Sequence, residues 1–547
     1  MRHPHVLLTA AAIWAAAVTV QPRVAAQGGA SAPAHQGVEF ATSDNCLACH
    51  NGMTTRTGED VSIGIAWRAS MMANSARDPY WQASVRRETL DHPSHADAIQ
   101  DECAICHMPM ARTAAHAAGG RGRVFPIAPG SGGSSEEHQL AADGVSCTLC
   151  HQIGPDRLGT RESFVGGFVL SRRTADGLSM FGPYDVEAGV KRTMHSATDA
   201  VPSKSEHMRQ SEVCATCHTL YTEAFGPAGE VVGSLPEQMP YLEWRHSVFA
   251  RDDEGGRSCQ SCHMPDVESV PIASVLGEPR ERLARHTFLG GNFFMLRMLN
   301  RFRSQLAVTA PSAELDAAAA ATLRQLASDT AQIAITRTAI AGGRLAAEVA
   351  VRNVTGHKLP TGYPSRRAWV HLTVRDGSGT VVFESGAVDA AGRIAGNDND
   401  GDARRFEPHH EEIRGADQVQ IYEAVIAGRD GTVTTGLLTA TQYVKDNRLL
   451  PRGFDKAKAD SDIAVHGEAL RDGDFTDSGD RVRYNVPVSG AGPYTVEAEL
   501  RYQPIAFRWA QNLRGYDAPE PRRFVEYFTV AAADSSTVVA QASGRVD

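Results

Sequence analysis

"DECAICHMPM", residues 101–110, sets two cysteines three positions apart with a histidine directly after the second. A short cysteine pair serves a disulfide, half of a zinc site, or the attachment of c-type haem. Only the last calls for the histidine. In Cys-x-x-Cys-His the two thiols bond covalently to one porphyrin edge while the neighbouring imidazole reaches beneath its centre. A single copy proves little, since cysteine pairs also hold zinc and exchange redox equivalents. The count decides. The pattern recurs as Cys46, Cys49 and His50; Cys103, Cys106 and His107; Cys147, Cys150 and His151; Cys214, Cys217 and His218; and Cys259, Cys262 and His263. All ten cysteines of the chain are consumed, with none left for a separate disulfide. The reading is five covalently attached haems c, the cysteines as anchors and the five histidines as proximal iron ligands.

Cofactors of that size decide the fold around them. Every cysteine lies before residue 300, in a stretch dense in Met, His and Gly-rich turns and poor in regular periodicity. Such a region takes short helices and loops, with porphyrin supplying much of the core. After it, "PSAELDAAAAATLRQLASD" reads as a helix with Ser312 as N-cap. The remainder is β in texture: "AQIAITRTAI" and "RLAAEVAVRN" flank the turn "AGG", and "AWVHLTVRD", "TVVFESGAV", "DQVQIYEAVIA", "RVRYNVPV" and "YTVEAELRYQP" follow. The expected organisation is multidomain: a signal peptide over 1–26, a mainly α/loop pentahaem cytochrome c domain over 27–305, a linker helix over 306–330, and an antiparallel, β-sandwich-like domain over 331–547.

Haem of this type is attached outside the cytoplasm, so the chain must be exported. "MRHPHVLLTAAAIWAAAVTVQPRVAAQ" has a basic start at Arg2, an apolar run from Val6 to Val20 and small residues at Ala25 and Ala26, the layout of a cleavable signal. The run is short for a membrane span and is closed by Pro22 and Arg23. A periplasmic or extracellular protein with no stable membrane span after cleavage is expected. The net charge of -10 argues against nucleic acid, and a redox partner docking by complementary fields would present a basic face.

Five irons need five distal ligands. Beyond the motif histidines, the first half holds His35, His92, His95, His116, His138, His195, His207, His246 and His286, enough for bis-histidine ligation throughout. His95, His138 and His207 each stand a short way upstream of a haem motif. His195 and His286 lie beside small residues, Gly290 and Gly291 leaving room for a porphyrin after His286. An internal echo adds His246: "IAWRASMMANSARD" (65–78) resembles "LEWRHSVFARDDEG" (242–255), Trp67 aligning with Trp244 and Ser70 with Ser247. His246 falls where the first copy has Ala69, so Met71 or Met72 is an alternative ligand there, or core filler. The expected distal ligands are His246, His286, His138 and His195, then His95 and His207.

The order of five motifs, with "GVSCTLCHQI", "SEVCATCHTLY", "EWRHS", "CQSCHMP" and "RHTFLGGN", resembles the cytochrome c-552/4 family of multihaem cytochromes, relatives of the electron acceptors of hydroxylamine oxidoreductase. "VRNVTGHKLPTGYPSRRAWVHL" and "VVFESG" resemble the β domain that follows such haem regions. The resemblance implies electron transfer through closely packed haems and names no donor or acceptor. Five haems depart from the four of the best-known relatives, so their ligand pattern is not carried over. Within the β region, His357 is either a haem ligand or propionate partner or part of a rigid turn. Asp398, Asp400 and Asp402 form either a solvated acidic loop or an oxygen-rich calcium site. Three functions follow: an electron carrier with redox partner proteins, an oxidoreductase of small nitrogen or sulfur compounds with one open haem, or a subunit of an extracellular haem filament. The carrier is favoured, because the supply of histidines leaves no obvious vacancy.

Overall fold

One long helix of the first half starts where its sequence caps it. The computed structural model describes Met1 and residues 38–490 and 492–547; the signal segment expected over 1–26 and His35 lie outside the described residues. Helix α1 (Pro79–Asp91) opens on Asp78, whose carboxylate accepts the Tyr80 and Trp81 amides at 2.8 and 3.2 Å, with Pro79 at the first helical position. Helix α2 (Ala96–His107) ends on the second haem motif. A β-hairpin, Leu220–Phe225 with Val231–Gln238, stands in a region expected to be helix and loop. Among the described residues no helix is long and apolar enough to cross a membrane.

The internal echo is an echo in three dimensions. Trp67 and Trp244 sit in short helices, Ile63–Arg68 and Pro240–Arg245. The residues that close them, Ala69 and His246, share one conformation, φ near -90° with ψ of 0° and 4°. In each copy the serine amide returns to the tryptophan carbonyl, at 2.8 Å for Ser70 and 2.9 Å for Ser247. Each indole then donates to a backbone carbonyl two residues ahead of a haem motif: Trp67 to Val145 at 3.0 Å, before Cys147, and Trp244 to Arg257 at 2.8 Å, before Cys259. The repeat therefore pins the third and fifth motifs by the same bond. Trp67→Phe, which orphans the buried Val145 carbonyl, is expected to cost about 1–3 kcal/mol in chemical denaturation.

Helix α3 (Phe293–Arg301) buries Phe293, Phe294, Met295 and Met298. Helix α4 (Ser312–Asp329) has Ser312 as its first helical residue and Pro311 in the cap position, without a side-chain cap, so the expected role of Ser312 is corrected. Nor is α4 a free connector: Leu315, Ala319 and Leu326 are buried and Glu314 pairs with Arg68.

The strands follow the sequence closely. β1 (Ala331–Ala341) and β2 (Arg344–Asn353) form a hairpin whose turn residues Gly342 and Gly343 take φ of +57° and +71°, the conformation a tight hairpin requires. β3 (Arg367–Asp376), β4 (Val381–Ser385), β5 (Glu412–Ile413), β6 (Ile421–Ala427), β7 (Gln442–Asp446), β8 (Asp480–Pro487), β9 (Tyr494–Gln503) and β10 (Thr537–Val546) complete two open sheets. One runs β5-β8-β2-β1; the other runs β7-β6-β3-β9-β10, with β4 on β3. All pairs are antiparallel except β5–β8. Val349 and Val482 from the first sheet share one core with Val370, Leu372 and Leu500 from the second. That same core takes in Tyr80 of α1, the apolar face of α3, and Phe524 and Phe528 of helix α5 (Pro519–Ala531). The described residues from 38 to Asp547 belong to one compact unit.

The acidic loop has a structural role. Asp400 is 4% exposed and receives both terminal nitrogens of Arg367 at 2.9 Å, while Asp398 pairs with Arg405. Asp400 is thus a buried structural carboxylate, while Asp402 is exposed as in a solvated loop.

Candidate cofactor sites

Each motif rides on a helix or a helical turn, which puts cysteines three positions apart on one face. The ten thiols are free. They also meet across motifs. The Cys46 and Cys147 thiols are close neighbours, as are those of Cys106 and Cys217, and of Cys214 and Cys259. Cys150 lies close to both Cys214 and Cys217. The first motif thus touches the third, the third adjoins the fourth, and the fourth touches the second and the fifth. Motifs scattered over more than two hundred residues of sequence form one connected cluster.

The motif histidines are oriented for metal. A ligating imidazole ordinarily donates its other N–H to a carbonyl or carboxylate, which fixes tautomer and ring direction. His50 Nδ1 meets the Ile272 carbonyl at 2.6 Å, His107 Nδ1 that of Ser75 at 3.1 Å, and His151 Nδ1 that of Phe181 at 2.6 Å. His263 Nδ1 meets the Leu289 carbonyl in the same way. In these four rings Nε2 is left for a metal. Burial pushes His107 and His218 down to about 4, so both rings are neutral and carry a lone pair across the physiological range. The His218 ring keeps accessible surface.

Two motif histidines have a second imidazole seated opposite. His151 and His286 are 6.3 Å apart between ring centres with planes 18° from parallel; His263 and His357 are 6.2 Å apart at 14°. A metal held between two imidazoles at about 2 Å from each nitrogen places the ring centres about 6 Å apart. The opposing rings repeat the proximal pattern, His286 Nδ1 meeting the Ala284 carbonyl at 3.0 Å and His357 Nδ1 that of Lys358 at 2.9 Å. Burial depresses both, His286 to about 3. The residues present fit a metal-centred cofactor at these two positions.

The other expected distal ligands are placed differently. His246 keeps the right pattern, Nδ1 on the Leu242 carbonyl at 2.9 Å, but its Nε2 lies 3.7 Å from Asp460 and its ring adjoins Phe454. His138 spends both nitrogens, on Ser135 Oγ at 2.7 Å and the Pro126 carbonyl at 3.1 Å. His207 does likewise, on Ser205 Oγ at 2.5 Å and the Ile153 carbonyl at 2.8 Å. His95 gives Nε2 to the Gly229 carbonyl at 2.7 Å and stacks on Phe225. His195 is half exposed, with Nε2 on Asp199 at 3.0 Å. In His138 and His207 no ring nitrogen is free for iron. Met71 and Met72 pack into apolar clusters. Gly291 is pressed against Tyr502 of β9, so its lack of a side chain admits the sheet.

Among the described residues no second imidazole is stacked opposite His50, His107 or His218; the ring against His107 is Trp81, parallel at 4.4 Å. The facing ring that the sequence left open is His357, opposite His263. Its signal was present in the loop "NVTGHKLPTG", where Asn353 and Thr355 hold the backbone: Asn353 Nδ2 donates to the His357 carbonyl at 2.7 Å, and Thr355 Oγ1 donates to it at 2.9 Å.

No family model matches the chain, and no curated protein does. Among solved structures the chain is similar to a penta-heme cytochrome c552 from Thermochromatium tepidum, with 17% identity and a TM-score of 0.49 over 93% of this chain and 100% of that one.

Proposed function

We propose that this is an exported pentahaem c-type cytochrome that passes electrons between redox partner proteins. The observation that carries the reading is the proximity of thiols from different motifs, which brings all five attachment sites into one neighbourhood. Haem iron supplies, when bound, a one-electron couple whose potential its axial ligands and surroundings set. The chain's part is to anchor and orient. The ten cysteines fix five centres at short separations. His50, His107, His151, His218 and His263 serve as proximal ligands, with the Nδ1 bonds of His50, His107, His151 and His263 holding those rings in line. His286 serves opposite His151, and His357 opposite His263, so the β region supplies a ligand and forms a wall of the redox chain. His246 remains a third distal candidate, with Nε2 facing Asp460. His95, His138, His195 and His207 are assigned to hydrogen bonding.

Intact mass of the mature protein tests the count. An increment of five covalent haems over the cleaved polypeptide is expected; fewer, or haem extracted by acid acetone, overturns the reading.

A further inference from the structure

We infer that Arg366 is the centre of an anion site, taking a carboxylate or small oxyanion, between the centre anchored by His218 and that held by His263 and His357. The inference rests on the haem reading above.

Two successive arginines enter β3, and they are treated in opposite ways. Arg367 is 1% exposed and satisfied: Asp400 receives both terminal nitrogens at 2.9 Å, Gln503 accepts from Nε at 2.8 Å, and the Gly392 carbonyl accepts at 3.2 Å. One residue earlier on an extended chain, the side chain points to the other face. There, among the described residues, Arg366 reaches one acceptor, the Thr361 carbonyl at 2.8 Å from Nη1, and no carboxylate within ion-pair distance. A guanidinium has five N–H donors in a planar fork, so most of this one is unspent.

Its surroundings are interior. The Arg366 charge is felt at His218, His357, Tyr502 and Asp78, all of them deep in the protein. Arg366 nevertheless retains accessible surface, whereas its neighbours Ser365 and Arg367 are buried. Its remaining donors are therefore open to a ligand. Asp78, the nearby acid, is committed to capping α1 through the Tyr80 and Trp81 amides. Gly362, at φ +81°, lets the loop close over the fork, since a Cβ there would lie 3.1 Å from Arg366 Nη1. An interior cation without a counter-charge is costly, and a planar fork suits a bidentate carboxylate or oxyanion. That anion has two sources of shared chemistry: a haem propionate, or a free oxyanion such as nitrite.

A redox titration and a nitrite titration of the full-length holoprotein separate them. Wild type, Arg366→Gln and Arg366→Lys are each first shown by intact mass to carry five haems. With a propionate as the anion, Arg366→Gln lowers the midpoint of at least one centre, because a positive charge favouring the reduced form is removed. Arg366→Lys then restores most of the shift, and nitrite leaves the oxidised wild-type spectrum unchanged. With a free oxyanion, nitrite changes the wild-type spectrum saturably, and the apparent Kd rises about tenfold or more in Arg366→Gln. A fully loaded Arg366→Gln with wild-type midpoints and a wild-type nitrite response overturns the inference. Absence of haem from the wild type overturns instead the reading on which it rests. Arg366→Met serves the same comparison if Arg366→Gln fails to load.

Discussion

His357→Ala is expected to leave five haems attached and to convert one of them, about a fifth of the total, from low-spin to high-spin and carbon monoxide-reactive. Attachment survives because it depends on Cys259 and Cys262, while the distal position opposite His263 loses its imidazole, 6.2 Å away between ring centres. Burial keeps His357 neutral, so no protonated form competes with ligation near pH 7. Electron paramagnetic resonance of the oxidised protein and a carbon monoxide difference spectrum of the reduced one read the change. His286→Ala should produce the same signature at a different centre, that of His151, and the two variants combined should convert two centres. His138→Ala should be silent, since both its ring nitrogens are engaged by Ser135 and Pro126. A low-spin His357→Ala protein indistinguishable from wild type would remove the β region from the redox chain.

The proximal half of each centre was legible in the sequence because covalent attachment fixes its spacing: two thiols and an imidazole must address one macrocycle. The distal half carries no such constraint. His151 meets His286, and His263 meets His357, across stretches that no local pattern links. Distance upstream of a motif singled out His95, His138 and His207, and in the structure all three place ring nitrogens on nearby hydrogen-bond partners. His357 read equally well as part of a rigid turn, and the turn is rigid; its rigidity is what holds the imidazole in place. Seven of the strands were legible in the sequence, while β5, β7 and β10, each at the edge of its sheet, escaped. The division near residue 300 reflects a real change in composition. It gave no sign that α1, α3 and α5 would share one core, with Tyr80 and Phe524 5.0 Å apart between ring centres. Contacts of that kind are settled by tertiary packing, which a local window of sequence does not contain.

The second large effect concerns the buried charges behind the His357 loop. Lys358, next in sequence to the proposed ligand, is fully buried and places Nζ 2.7 Å from Asp446. Arg448 reaches Asp446 at 2.7 Å and Glu243 at 2.9 Å, and Glu243, from the helix that carries Trp244, accepts the Lys358 amide at 3.1 Å. Asp446→Ala leaves two interior cations sharing Glu243 alone, and breaking a buried pair in this way costs about 3–5 kcal/mol. Denaturant unfolding at pH 7 should show that loss, together with partial high-spin character as the loop loosens around His357. Acid provides a second check. Burial acts to raise the Asp446 carboxyl, and the Arg448 and Lys358 charges overcome it, holding the group well below the usual carboxylate range. Its contribution is therefore complete above about pH 4, where the unfolded chain is also ionised, and is lost as the pH falls further toward the folded value. Wild type should lose stability across that acid interval more steeply than Asp446→Ala, which no longer has the group to titrate. Equal slopes would mean that the cations are compensated elsewhere, and that the loop bearing His357 is held by its hydrogen bonds to Asn353 and Thr355 alone.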